Sequence, residues 1–170
     1  AVELRRRPDL RGKPVWVGGA TRGVVLSASY EARAYGVEGG MSSTRARRLC
    51  PDAIAITPDY DAYEAASQGV FAIFSTITPS VERVSLDEGF LDITGTRRLL
   101  GEPEQVGELI RALVADEQGI PCSVGIAPSK LIAKMASNSA KPDGLLQVLP
   151  ELWPLLAFLA VAGAVALALA

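Results

Sequence analysis

Histidine is absent from the 170 residues, and cysteine and methionine occur only twice each. Without an imidazole the chain runs neither Ser-His-Asp nor Cys-His catalysis, and it ligates no metal through a histidine ring. Cys50 and Cys122 support neither a disulfide framework nor an all-thiolate zinc site. Both read as small buried apolar residues. Any metal chemistry falls to carboxylates, which favour hard cations such as Mg²⁺ or Mn²⁺. The 16 Gly and 11 Pro follow no fixed period, so the chain is not collagen-like. Disorder is excluded by an apolar fraction of 49% and a mean hydropathy of +0.24. The length suits one average domain or two small ones.

What is present is unevenly spread. Residues 1–50 carry ten Lys/Arg against four Asp/Glu, and residues 51–170 carry seven against fifteen. A basic block beside an acidic one suggests a polyanion on one side and a cation on the other, or else only a varied surface. From Leu152 to Ala170 nineteen residues carry no charge, and seventeen are apolar. A helix of that length nearly spans a bilayer at about 1.5 Å per residue, but no Lys/Arg cluster flanks it to orient it. There is no initiator methionine and no apolar signal segment, and residues 1–7 open in a helical pattern. The expectation is a cytoplasmic piece of a longer protein, with no membrane partner.

The element pattern has punctuation at most boundaries. A first helix stops before Pro8 and Asp9. Val15–Val17 and Val24–Leu26 read as strands, and Tyr30–Tyr35 as a short helix stopped by Gly36. Ser42 or Ser43 can cap a basic helix over Thr44–Leu49. Ala53–Ile56 reads as a strand and Pro58–Ile77 as a long helix with Pro58 in its first turn. Val81–Leu86 and Gly89–Ile93 read as strands joined tightly at Asp87-Glu88. Glu104–Glu117 is amphipathic, with Val106, Leu109, Ile110, Leu113 and Val114 on one face. A strand over Pro121–Ile126, a helix over Ser129–Asn138 with Ser129 as cap, and a strand over Leu145–Leu149 complete the pattern. The predicted fold class is α+β: an antiparallel or mixed sheet with helices on one face, a small α/β subdomain before it, and an apolar helical tail.

Three segments carry polar chemistry. In Val81–Asp92 two acids, Asp87 and Glu88, stand side by side within an apolar strand pattern. Adjacent strand residues point to opposite faces, so two neighbouring acids share a face only at a turn or bulge, for which Gly89 offers a place. Paired carboxylates repel unless a cation lies between them, and Mg²⁺ suits that role. The alternative is a hairpin turn with solvated acids. Ser27, Ser29, Tyr30 and Arg33 surround a helix start, where hydroxyls, a phenol and a guanidinium can clamp a phosphate. The alternative is an ordinary surface helix. Lys130 and Lys134 share a helical face at i, i+4, a spacing that favours an intervening anion or a solvated basic face. Arg45, Arg47 and Arg48 form a basic helix without interleaved aromatics, which suits phosphate-backbone contact better than base stacking.

Taken together the segments resemble the Y-family, or translesion, DNA polymerases, especially their DinB-like branch. The resemblance runs from residue 1 to about 149. It rests on Arg7-Pro8-Asp9-Leu10-Arg11-Gly12-Lys13-Pro14, Ser29-Tyr30-Glu31-Ala32-Arg33, Ser85-Leu86-Asp87-Glu88-Gly89-Phe90-Leu91-Asp92, Ser123-Val124-Gly125-Ile126-Ala127, Lys134-Met135-Ala136-Ser137 and Lys141-Pro142-Asp143-Gly144, in the family's order. It implies template-directed DNA synthesis in damage bypass. Asp87 and Glu88 would be two of three catalytic carboxylates that hold two Mg²⁺ ions, while Tyr30, Arg33, Lys141 and Ser27 would meet the triphosphate of the incoming dNTP. Residues 1–58 would be fingers, 59–149 palm, and 150–170 a tail that the family does not explain. Primer-template DNA would be the partner. A sliding clamp would serve only a full-length enzyme, since the clamp motif is not in this sequence. The family's first catalytic carboxylate and its ribonucleotide-excluding aromatic residue, the thumb and the little finger are not matched, so the chain alone is expected to be inactive. The rival readings are a non-catalytic nucleic-acid-binding homologue and a membrane-anchored protein.

Overall fold

The computed structural model describes residues 1–20 and 22–149. They form two compact units that divide inside one helix, between Ala65 and Ala66. The expected apolar tail, 150–170, lies outside the described residues. Among those described, no helix is long and apolar enough to cross a membrane.

The first unit opens with α1 (Val2–Arg6) and a 3-10 turn at Pro8–Leu10. Its sheet is ordered β2-β1-β3, from β1 (Val15–Gly18), β2 (Val25–Ala28) and β3 (Ile54–Ile56). β2 runs antiparallel to β1, while β3 runs parallel to it. Between β2 and β3 come α2 (Tyr30–Arg33) and α3 (Ser43–Leu49). Trp16, fully buried, anchors a core with Val25, Ala32, Val37, Ala46 and Cys50. The expected cap of α3 forms, since the Ser42 hydroxyl accepts from the Arg45 N–H at 3.3 Å. Glu3 is buried but satisfied, taking the Tyr63 hydroxyl at 2.7 Å and the Arg7 guanidinium at 3.0 Å.

The long helix α4 spans Tyr60–Ile77, two residues later than Pro58 suggests. Asp59 explains the shift: its carboxylate accepts the Ala62 N–H at 3.1 Å, so Asp59 caps the helix and Pro58 stays outside it.

The second unit holds two small sheets where the sequence suggests one. β4 (Val81–Arg83) pairs antiparallel with β5 (Gly89–Leu91), and β6 (Val124–Ile126) pairs parallel with β7 (Leu145–Gln147). A one-turn helix, α5 (Arg97–Leu100), has no counterpart in the sequence expectation; four residues show no readable period. α6 (Pro103–Gln118) starts with a Glu102–Gln105 capping box and ends on Gly119 in the left-handed region. It buries Val106, Ile110 and Val114 against Ile73, Phe74 and Ile77 of α4, with Leu109 and Leu113 partly buried beside them. α7 (Lys130–Ser139) carries the expected Ser129 cap, whose hydroxyl accepts the Ile132 N–H. The arrangement is α+β, as the pattern predicts.

Candidate active site

The β4–β5 hairpin brings Asp87 and Glu88 into view. The strands are shorter than expected, because Val84 N–H and Ser85 N–H both turn to the Glu88 carbonyl, at 2.9 and 3.1 Å. The ladder therefore ends at Arg83 opposite Gly89, and residues 84–88 form a loop rather than a tight turn. That loop is pinned to α4. The buried Ser67 hydroxyl donates to the Leu86 carbonyl at 2.5 Å and accepts from the Arg83 guanidinium at 3.1 Å. Arg83 also lies 5.1 Å from the centre of the Phe71 ring. Gly89 is needed for close approach, since a Cβ there would come within 2.8 Å of that ring.

The two acids have different surroundings. Asp87 is exposed and accepts the Ser85 hydroxyl at 2.8 Å. Glu88 is half-buried and ion-pairs with Lys134 of α7. One turn earlier on the same helix, Lys130 pairs with Glu82 of β4 and lies 5.7 Å from the centre of the Phe90 ring. The anions that the i, i+4 lysines call for are thus carboxylates of the hairpin. The Lys134–Glu88 pair is about one-third exposed on each side, so its contribution to stability is at most about 1 kcal/mol. Its larger effect is to compensate one of two neighbouring negative charges. A cavity of about 650 Å³ lies alongside, between Glu82, Phe90 and Asp92 of the hairpin segment and Pro128, Ser129 and Lys130 at the start of α7. Neither Asp87 nor Glu88 lines it.

Hard oxygen donors such as these two carboxylates suit a divalent cation of the Mg²⁺ type. They amount to a partial ligand set. Among the described residues no three His, Cys, Asp or Glu side chains gather where an ion could be held.

The first unit presents Ser27, Tyr30 and Arg33. Ser27 is exposed on β2. Arg33 stands 5.6 Å over the Tyr30 ring, so the two residues share one face, as their spacing implies. The Arg33 Nε donates to the Ala28 carbonyl at 3.1 Å, which holds the side chain against the end of β2. At the helix start Ser29 is the cap. The Ser29 hydroxyl accepts from Ala32 N–H and Val15 N–H and donates to the Lys13 carbonyl. The Ser29 hydroxyl is therefore spent on holding α2 to β1 and to the turn before it. Arg47 of the basic helix is likewise engaged, donating to the Ala20 carbonyl at 2.7 Å above the Trp16 ring.

Lys141 is exposed in the second unit, in the turn between α7 and β7, with its N–H on the Asn138 carbonyl at 3.3 Å. The six residues singled out by sequence thus divide into Ser27, Tyr30 and Arg33 in one unit and Asp87, Glu88 and Lys141 in the other. Sequence reasoning left Ser67, Arg83 and Arg111 unassigned. Each acts through a partner distant in sequence, and none belongs to a motif.

The family model described as the impB/mucB/samB family matches residues 1–138. The chain is 45% identical over 153 residues to DNA polymerase IV of Halorhodospira halophila, covering 89% of this chain and 43% of that protein. It is 47% identical over 150 residues to DNA polymerase IV 2 of Mesorhizobium japonicum, covering 88% and 35%. A crystal structure of DinB from Sulfolobus solfataricus superposes with a TM-score of 0.80 at 33% identity, over 89% of this chain and 45% of that one. An insertion ternary complex of Dbh DNA polymerase gives 0.81 at 31% identity, over 88% and 45%. The chain therefore spans less than half the length of these relatives.

Proposed function

Because the chain belongs to the impB/mucB/samB family of Y-family DNA polymerases, we propose that it carries the nucleotide-binding and acid-bearing parts of a DNA-directed DNA polymerase that works in damage bypass. The observation that carries this reading is the Asp87-Glu88 pair, displayed on a loop fastened to α4 by Ser67. A bare binding module has no use for adjacent acids on a braced loop. On this reading residues 1–58 are fingers and 59–149 palm.

Asp87 and Glu88 would hold divalent cations, with Mg²⁺ as the expected ion. Such ions, if held there, would supply positive charge to the oxygens of phosphoryl transfer. The protein's own side chains have separate tasks. Lys134 ion-pairs with Glu88 and so compensates one of the two neighbouring negative charges. Arg33 and Tyr30 offer a guanidinium and a phenol to the triphosphate, Ser27 adds a hydroxyl, and Lys141 adds a mobile point charge. Primer-template DNA and a dNTP are the proposed partners. The ternary complex formed by Dbh DNA polymerase supports that choice.

Calorimetry of the chain with dATP and Mg²⁺ tests the phosphate roles. Arg33→Ala is expected to weaken binding about tenfold, the usual size of a charge-assisted hydrogen bond. Equal heats for the variant and its parent would overturn the assignment.

A further inference from the structure

A lysine's single ammonium, on a flexible stem, finds a phosphate only as well as its backbone is held. At Lys141 that backbone has a fixed end on either side. Before it, α7 closes with the Ala140 N–H on the Ala136 carbonyl at 2.9 Å. After it, Asp143 sits in the left-handed region at φ 45°, which is uncommon for a residue other than glycine although aspartate adopts it more readily than most.

Arg111 of α6 holds this residue. Its Nη2 donates to the Asp143 carbonyl at 2.5 Å and to the Asp143 carboxylate at 3.3 Å. Its Nε donates to the Cys122 carbonyl at 3.2 Å, and its Nη1 to Glu108 at 2.7 Å. The Asp143 carboxylate also accepts the Cys122 N–H at 3.3 Å, which closes a ring of contacts around the guanidinium. The reach is built into α6. At Gly107, one turn earlier on the same face, a Cβ would come within 2.4 Å of Leu145 and 2.9 Å of Ile126, so the helix lies tight against β6 and β7. Arg111 is about four-fifths buried in this corner.

We infer that Arg111 is a positioning residue for the incoming nucleotide: it fixes the turn 141–144 so that Lys141 presents its ammonium to the triphosphate. The inference rests on the nucleotide reading of Lys141 given above. The planar fork suits this corner, because Nε meets the Cys122 carbonyl while Nη2 meets both Asp143 acceptors, whereas a lysine brings a single point charge on a flexible stem.

A double-mutant cycle on the 170-residue chain, read by calorimetry with dATP and Mg²⁺, decides it. Arg111→Lys keeps the charge and the stem, and it is expected to bind about fivefold more weakly. The same change in a Lys141→Ala background is expected to weaken binding no further. A purely structural arginine would weaken binding equally in both backgrounds, and that result overturns the inference. So does Arg111→Lys binding as tightly as the parent while Lys141→Ala binds weakly. If Lys141→Ala itself has no effect, the nucleotide reading of Lys141 falls and this inference falls with it. Arg111→Met makes the larger perturbation. Where it fails to fold by thermal melting, the Arg111→Lys pair of measurements carries the decision.

Discussion

Asp59 shows how much one half-buried acid can organise. It caps α4 through the Ala62 N–H and meets the Arg6 guanidinium at 2.5 Å. These two contacts, the backbone bond first, hold its carboxyl below the usual carboxylate range. A carboxylate favoured in this way stabilises the fold above its unfolded pKa of about 3.9. That contribution fades as pH falls from there through the lower folded value. Asp59→Asn is therefore expected to flatten the acid limb of a plot of melting temperature against pH below about pH 4. The step is small, because the site is in water. An unaltered acid limb would contradict it. The caps at Ser42 and Ser129 were legible because they are local, each acting within three residues. The partners of Lys134 and Arg111 were not, because Glu88 and Asp143 are brought to them only by folding.

At the scale of elements, close approach decides more than propensity. α7 lies almost on the backbone of β6. A Cβ at Gly125 would fall 2.0 Å from the Ala133 carbonyl oxygen and 2.3 Å from the Ser137 nitrogen, both helix backbone atoms that cannot step aside. Gly125→Ala is expected to destabilise the protein by about 1–3 kcal/mol or more, seen as a lower midpoint in urea denaturation. A midpoint within error of the parent would show that the helix can lift at no cost. The same tight packing places Lys130 and Lys134 against Glu82 and Glu88 of the hairpin. The periodicity of the helix was readable from its residues. Its seat on the strand was not, since a glycine inside a strand pattern signals a close neighbour without saying which one.

At the scale of the whole molecule, the excess of basic residues over 1–50 and of acidic residues after them matches the proposed division of labour. Arg45 and Arg48 are exposed on α3, whereas Arg47 is held by Ala20. Duplex DNA binding followed by fluorescence anisotropy is expected to weaken linearly on a log–log plot against salt. Replacing Arg45 and Arg48 by alanine is expected to reduce that slope by about 0.9 for each phosphate that the arginines no longer neutralise. A slope that does not change would remove α3 from the DNA interface.

Local chemistry alone settles a good deal. A chain without histidine and with only two cysteines leaves metal chemistry to carboxylates, and Asp87-Glu88 is the pair that its strand pattern cannot explain as packing. Helix identity, caps and the α+β class follow from period and punctuation, which act over a few residues. Tertiary structure alone decided the rest. It joined the Ser29 hydroxyl to the Val15 N–H and the Lys13 carbonyl, which ties the start of α2 to β1 and the turn before it. It split the expected single sheet into two pairs of strands and gave Glu88 its lysine. It also placed Arg111 behind the turn of Lys141. Each of these depends on groups far apart in the chain, brought together as each unit buries its own apolar core, around Trp16 in the first and between α4 and α6 in the second, and it appears in no local pattern.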